Sequence, residues 1–181
     1  MPLRQDALCA AADAILQFEG AAQQTPDLRA TVGQVQVEPG ASNVIPARVQ
    51  LSVDIRHPDE KQLERSFAAT LDTIQSRARE RRVEVQWQQL QHSPAVKMDQ
   101  TLSAHLSAST FELQGKAPVL ISGAGHDGVM MAKVCPVAML FVRCREGLSH
   151  HPDEYAAPAD IEQAFAAFTE AVARYAEAFP A

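Results

Sequence analysis

Between Arg48 and Arg56 the side chains alternate without a break. Val49, Leu51, Val53 and Ile55 fall on one side, and Arg48, Gln50, Ser52, Asp54 and Arg56 on the other. A period of two belongs to an extended strand with one apolar and one polar face. A slip of one residue would exchange the two faces, so whatever packs here must cover one side of a sheet and leave the other open.

The flanking sequence supplies the cover. Residues 4–22 set Leu8, Ala11, Ile15 and Phe18 at helical spacing, and Gly20 with the stretch to Pro26 is expected to end that helix. Arg29 to Val37 reads as extended, and the run from Glu38 to Asn43 as a turn-rich connection. His57-Pro58-Asp59-Glu60 opens a second helix, with Leu63, Phe67, Leu71, Ile74 and Ala78 as its apolar stripe. Val83, Val85 and Trp87 alternate in a further expected strand. Helix, strand, strand, helix, strand over 1–90 is a ferredoxin-like split βαβ unit without its first strand. Its polar face, which carries Arg56, stays open to solvent, partner or ligand.

Past His92-Ser93-Pro94 the pattern changes, and a domain boundary is expected near 92. A helix near 100–114 leads to a short apolar strand, Pro118 to Ile121. A second run, Pro136 to Val142, is apolar without alternation. Unbroken apolar strands between helices point to a sheet buried on both faces. A closing helix places Ile161, Phe165, Phe168, Val172 and Tyr175 at steps of three and four. Two strands make a thin sheet, so 93–181 reads as half of an α/β domain.

Charge narrows the functions. Sixteen basic residues against 22 acidic ones give −6, which offers no footprint for nucleic acid or an anionic membrane. Arg77, Arg79, Arg81 and Arg82 cluster where they complement a helix C-terminus. No apolar run approaches the roughly 18 residues of a membrane span, and the N-terminus lacks an export pattern, so a cytoplasmic location is expected. Cys9, Cys135 and Cys144 form no CxxC and are expected to be small buried apolar residues.

Three groups of residues could carry chemistry. Ser122-Gly123-Ala124-Gly125-His126-Asp127-Gly128 follows one apolar run, and Gly147-Leu148-Ser149-His150-His151-Pro152-Asp153-Glu154 follows the other. Both lie at carboxyl ends of expected strands, where α/β sheets gather ligands. The first can be a ligand loop with His126 in it, or simply a tight strand-to-helix turn. In the second, neighbouring histidines on an extended loop point apart, so at most one binds a metal, and one histidine makes no zinc site. Asn43 and Arg56 bracket the alternating strand. Arginine's planar fork fits a carboxylate, but the pair can equally be a turn asparagine and a surface arginine held by Asp54 or Asp59.

Taken in order, Asn43-Val44-Ile45-Pro46, Asp54-Ile55-Arg56, the Ser122 to Asp127 loop, Met139-Leu140-Phe141-Val142-Arg143-Cys144-Arg145 and the Gly147 to Glu154 loop form a familiar set. The set resembles the allantoate amidohydrolase and N-carbamoyl-L-amino-acid hydrolase branch of the di-zinc aminoacylase/carboxypeptidase-like metallopeptidases, over essentially the whole chain. The resemblance implies a lid domain, through which such enzymes form homodimers, over 1–92 without its first strand. It implies the C-terminal portion of the α/β catalytic domain over 93–181. By the same resemblance His150 matches a metal ligand, Asn43 and Arg56 match lid residues that hold the substrate carboxylate, and Gly125 and His126 match the loop touching substrate beside the metals. His126 is the candidate catalytic residue.

The family's complete enzymes use two divalent metal ions, zinc or manganese, to cleave a ureido or carbamoyl C–N bond. Allantoate is the first-choice substrate here, on the look of Phe141 to Arg145, and an N-carbamoyl-L-amino acid the second. The other metal ligands, the general base and the His-Ala-Gly histidine belong to family segments upstream of those matched. One of five ligands is kept, so the chain is expected to be inactive alone, with the missing N-terminal half as a candidate partner. The alternative is a non-catalytic module that dimerises or binds carboxylates. Gly128 stands where the family usually has alanine.

Overall fold

A computed structural model describes residues 3–178. The chain divides between Ala95 and Val96 into two compact units.

The first unit contains α1 (Ala7–Gln24), β1 (Arg29–Glu38), β2 (Arg48–Arg56) and α2 (Glu60–Glu80). Asp6 caps α1 by accepting from the amides of Leu8 and Cys9 at 3.0 and 3.1 Å. Asp59 caps α2 through the Gln62 amide, at 3.0 Å. The strands pair antiparallel, from Arg29 opposite Arg56 to Glu38 opposite Arg48, with an irregularity between Val32 and Gln34. That places a bulge at Gly33, which adds a residue to β1 without disturbing the pairs on either side.

Both helices lie on the apolar face of the hairpin. Ala14, Phe18 and Ile74 form the buried centre, with Ala30, Val32, Leu51, Phe67 and Val85 packed around it. Trp87 meets the Phe67 ring edge-on at 5.1 Å. Val83, Val85 and Trp87 were expected in a strand, and here they correct that expectation: Val85 packs on the core, but residues 83–87 form no ladder. A strand needs a hydrogen-bonded neighbour, and none exists for them among the described residues. α1 runs through Gly20 and ends at Gln24, within the expected stretch to Pro26. At the Arg-rich end of α2, Arg81 Nε donates to Asp13 of α1 at 2.6 Å.

The second unit contains α3 (Gln100–Gln114), a five-residue α4 (Asp127–Met131) and α5 (Pro158–Ala178). Asp99 caps α3, and Gly115, in the left-handed region at φ 70°, ends it. α5 rests on α3 through small residues: Ala167, Ala171 and Ser109 are all under 5% exposed. The expected stripe of Phe165 and Phe168 is 71% and 54% exposed. The buried line runs one residue earlier, through Ala167 and Ala171, a rotation of about 100°. The two apolar runs also depart from expectation. Residues 118–121 and 136–142 form no ladder, and Val119 and Ile121 are 89% and 60% exposed. Their composition asks for sheet neighbours that the described residues do not provide. Cys9 and Cys135 are exposed and Cys144 half-buried, so the thiols are not core residues.

Candidate functional site

In the first unit the chemistry sits at one end of the hairpin. Arg56 closes β2 on its polar face and grips Asp54 with two parallel bonds, Nε to Oδ1 at 2.7 Å and Nη2 to Oδ2 at 2.6 Å. The guanidinium lowers the Asp54 pKa, and the carboxylate raises that of Arg56. Side chains i and i+2 of a strand share a face, so this pair follows from the alternation itself. About half of each side chain remains exposed, which leaves the guanidinium oriented but reachable.

Two further residues at this corner were not singled out by the sequence. Arg29 lies directly opposite Arg56 in the ladder. His57 fixes the strand ends: its Nδ1 accepts from the Asp59 amide at 2.9 Å, and Nε2 lies 3.1 Å from the Pro26 carbonyl. A neutral imidazole protonated on Nε2 satisfies both bonds. The strand-to-helix spacing hinted at His57, but the Gly33 bulge hid the register that pairs Arg29 with Arg56.

Asn43 stands elsewhere. It occupies an exposed turn beyond Glu38 and Arg48, at the opposite end of the hairpin. The nine residues of β2 span roughly 27 Å, so one chain cannot bring Asn43 and Arg56 to the same carboxylate. The turn is fixed by Ala47 N donating to Glu38 O at 2.8 Å and by Ala7 N donating to Pro46 O at 3.3 Å.

In the second unit, Gly123 to Gly125 are exposed and lead to His126, half-buried as the N-cap residue of α4. The His126 side chain makes no capping bond; Val129 N donates instead to its backbone carbonyl at 3.0 Å. The loop after residue 147 is not extended. His150 sits in the left-handed region at φ 60°, its amide held by the Glu154 carboxylate at 2.8 Å. Ser149 Oγ meets His150 Nδ1 at 2.7 Å, while His151 turns toward Asp153. A hydroxyl on Nδ1 holds the imidazole and leaves Nε2 as the nitrogen that could ligate, the usual arrangement of a ligating histidine and its support. His126 and His150 share no bonding partner among the described residues.

The donor set is nevertheless too small for a metal centre. No group of three or more His, Cys, Asp or Glu side chains able to hold an ion occurs among the described residues. A catalytic zinc takes three protein ligands and a structural one four. The residues present therefore do not by themselves fit the two-metal centre that the sequence resemblance implies. No helix among the described residues is long and apolar enough to cross a membrane.

Comparison with known proteins agrees with the sequence motifs. The model of the family described as peptidase family M20/M25/M40 matches residues 7–174. An N-carbamoyl-L-amino-acid amidohydrolase of Pseudomonas sp. (strain NS671) is 35% identical over 89% of this chain and 39% of its own length. The allantoate amidohydrolase of Bacillus subtilis (strain 168) is 33% identical over 94% of this chain and 42% of its own. A crystal structure of an amidase of the hydantoinase/carbamoylase family from Burkholderia multivorans superposes with a TM-score of 0.84 at 35% identity, covering 94% of this chain and 42% of that one. The chain spans about two fifths of the length of the curated relatives it matches.

Proposed function

Because this chain belongs to peptidase family M20/M25/M40, an enzyme family, we propose that it serves as part of an amidohydrolase cleaving the C–N bond of a carboxylate-bearing ureido or carbamoyl compound. Allantoate is the first choice of substrate and an N-carbamoyl-L-amino acid the second. In this reading 1–92 is the ferredoxin-like lid without its first strand and 93–181 the C-terminal portion of the catalytic domain. The observation that carries it is the oriented, half-exposed fork of Arg56, in a chain whose relatives are named for such substrates.

Arg56 binds the substrate carboxylate, which does not react, and Asp54 keeps the guanidinium in its plane. Asn43 contributes from a second copy, since the length of β2 keeps it from its own Arg56; this is the case for a homodimer paired through the lid. Gly125 and His126 contact the substrate near the scissile group, with His126 as the catalytic candidate. His150, steadied by Ser149, offers one ligand to zinc or manganese, and the other ligands come from outside the described residues. Two divalent metals, held by His150 and by ligands from outside the described residues, would supply an activated water there. The lone histidine ligand also favours a second reading, a carboxylate-binding module without turnover.

The test is steady-state kinetics of Arg56→Lys and Arg56→Ala in the enzyme that contains this chain. Exposed ion pairs contribute about 0 to 1 kcal/mol, so an arginine that only pairs with Asp54 would be replaceable by lysine. A fork that grips substrate is not, and losing it costs roughly 2 to 5 kcal/mol, mainly in KM. Unchanged kcat/KM in both variants overturns the assignment. Loss of carboxylate binding in a protein that never turns over any ureido substrate would favour the second reading.

A further inference from the structure

We infer that Arg29 and Arg56 form a two-guanidinium clamp for a single carboxylate, so that Arg29 is a second binding residue at the site proposed above. The inference rests on that reading of Arg56.

The argument starts from the ladder. Arg29 and Arg56 are direct partners in an antiparallel pair, and Ala30–Ile55 and Thr31–Asp54 follow in register before the bulge at Gly33. Directly opposite residues share a face, with Cβ atoms about 5 Å apart, so both guanidinium stems rise from the same polar surface. Like charges placed this way repel and weaken the pair. Such an arrangement persists where an anion lies between the two cations or where each is neutralised separately.

Only one of the two is neutralised by a carboxylate. Asp54 takes the Nε and Nη2 edge of Arg56. Arg29 is exposed, and its Nη1 donates to the carbonyl of Leu28 at 3.1 Å. Among the described residues no carboxylate pairs with it. Asp59 accepts the Gln62 amide as the cap of α2, Asp54 holds Arg56, and Asp27, two residues before Arg29, forms no ion pair with it. The guanidinium of Arg29 therefore stands across the ladder from that of Arg56 without a carboxylate of its own, placed to take one from a ligand.

The corner is also braced. His57 ties Pro26 to the start of α2, and Leu28, 1% exposed, anchors the residue before Arg29 in the core. The backbone that carries both guanidiniums is therefore fixed on both strands, while the side chains remain at the surface. Preorganised cations lose less freedom on meeting a ligand than mobile ones.

The experiment is a titration of the isotopically labelled chain with N-carbamoyl-L-alanine, following the arginine Nε–Hε resonances, with the carboxamide of the same compound as a blank. The signals of Arg29 and Arg56 should move together on one saturation curve, and the blank should move neither. Arg29→Gln should weaken binding by about fivefold, the effect of an exposed cation of that strength, with an unchanged melting temperature. If Arg56 alone responds, or Arg29→Gln binds as tightly as the parent, the clamp is overturned and the Arg56 grip stands. If neither arginine responds, or the blank moves both equally, the clamp and the carboxylate site fall together.

Discussion

The imidazole of His126 occupies the space in which a side chain at Gly128 would begin. A Cβ built on Gly128 falls 2.7 Å from both Cε1 and Nδ1 of His126, closer than such atoms approach in proteins. The ring pose beside the glycine loop thus depends on the absence of one methyl group two residues away.

This yields a substitution in which stability and function separate. Glycine inside a helix costs roughly 0.5 to 1 kcal/mol relative to alanine, so Gly128→Ala should leave α4 as stable as before or slightly more so. The same methyl must displace the His126 ring. The His126 Cε1–H resonance should shift in the variant, and turnover in the enzyme containing this chain should change without any loss in melting temperature. An unmoved His126 resonance would show that the ring never lay against Gly128.

Asp6 carries a pH prediction. It is 5% exposed, caps α1 and accepts a bond from Arg4 Nε at 2.9 Å. Arg4 first, and then the Cys9 amide, lower its pKa from 3.8 to about 2. The folded value lies below the unfolded one, so ionised Asp6 stabilises the fold fully above pH 3.8 and the contribution disappears as pH falls through about 2. Asp6→Asn keeps a capping oxygen but loses the charge and the Arg4 pair. Chemical denaturation across this window should show a shallower acid limb for the variant than for the parent. Identical slopes would remove Asp6 from the account of acid stability.

How much of this was legible depends on whether a feature is local. The bounds of β2 follow from alternation alone, and Asp59 and Asp99 sit where capping residues belong. Arg56–Asp54 is an i, i+2 pair on one strand face and was among the readings open from the sequence. What stayed hidden depends on partners. Residues 118–121 and 136–142 have strand composition, but a ladder is made by two chains of backbone, and composition does not say whether the neighbour is present. On α5, alanines and phenylalanines form adjacent apolar lines, and periodicity cannot tell which one α3 takes. Arg29 opposite Arg56 depends on the Gly33 bulge, which one strand's pattern does not reveal.

Metal binding by this chain alone should be weak. His150 with Ser149 behind it presents one imidazole nitrogen, and no cluster of three donors surrounds it among the described residues. We expect zinc affinity no better than micromolar and no stoichiometric site. Metal analysis after extended dialysis checks this directly. One firmly held zinc per chain, lost in His150→Ala, would mean that ligands assemble around His150 in a way this arrangement does not contain.

Association is the last expectation. Val119, Leu120 and Ile121 are 89%, 59% and 60% exposed, and on α5 Phe165, Phe168 and Val172 are 71%, 54% and 52% exposed along one helical line. Burying one large apolar side chain contributes about 1.5 to 3 kcal/mol, so a surface with several of them associates readily. Unpaired strand-forming backbone adds hydrogen-bonding capacity to the same unit. The chain alone should therefore be dimeric or larger, and light scattering across a concentration series measures it. The double variant Phe165→Gln, Phe168→Gln removes apolar area without touching Ala167 and Ala171, on which α3 and α5 pack. It should shift the distribution toward monomer with little change in helix content. A parent chain that stays monomeric at high concentration would mean that these faces are covered within the chain itself.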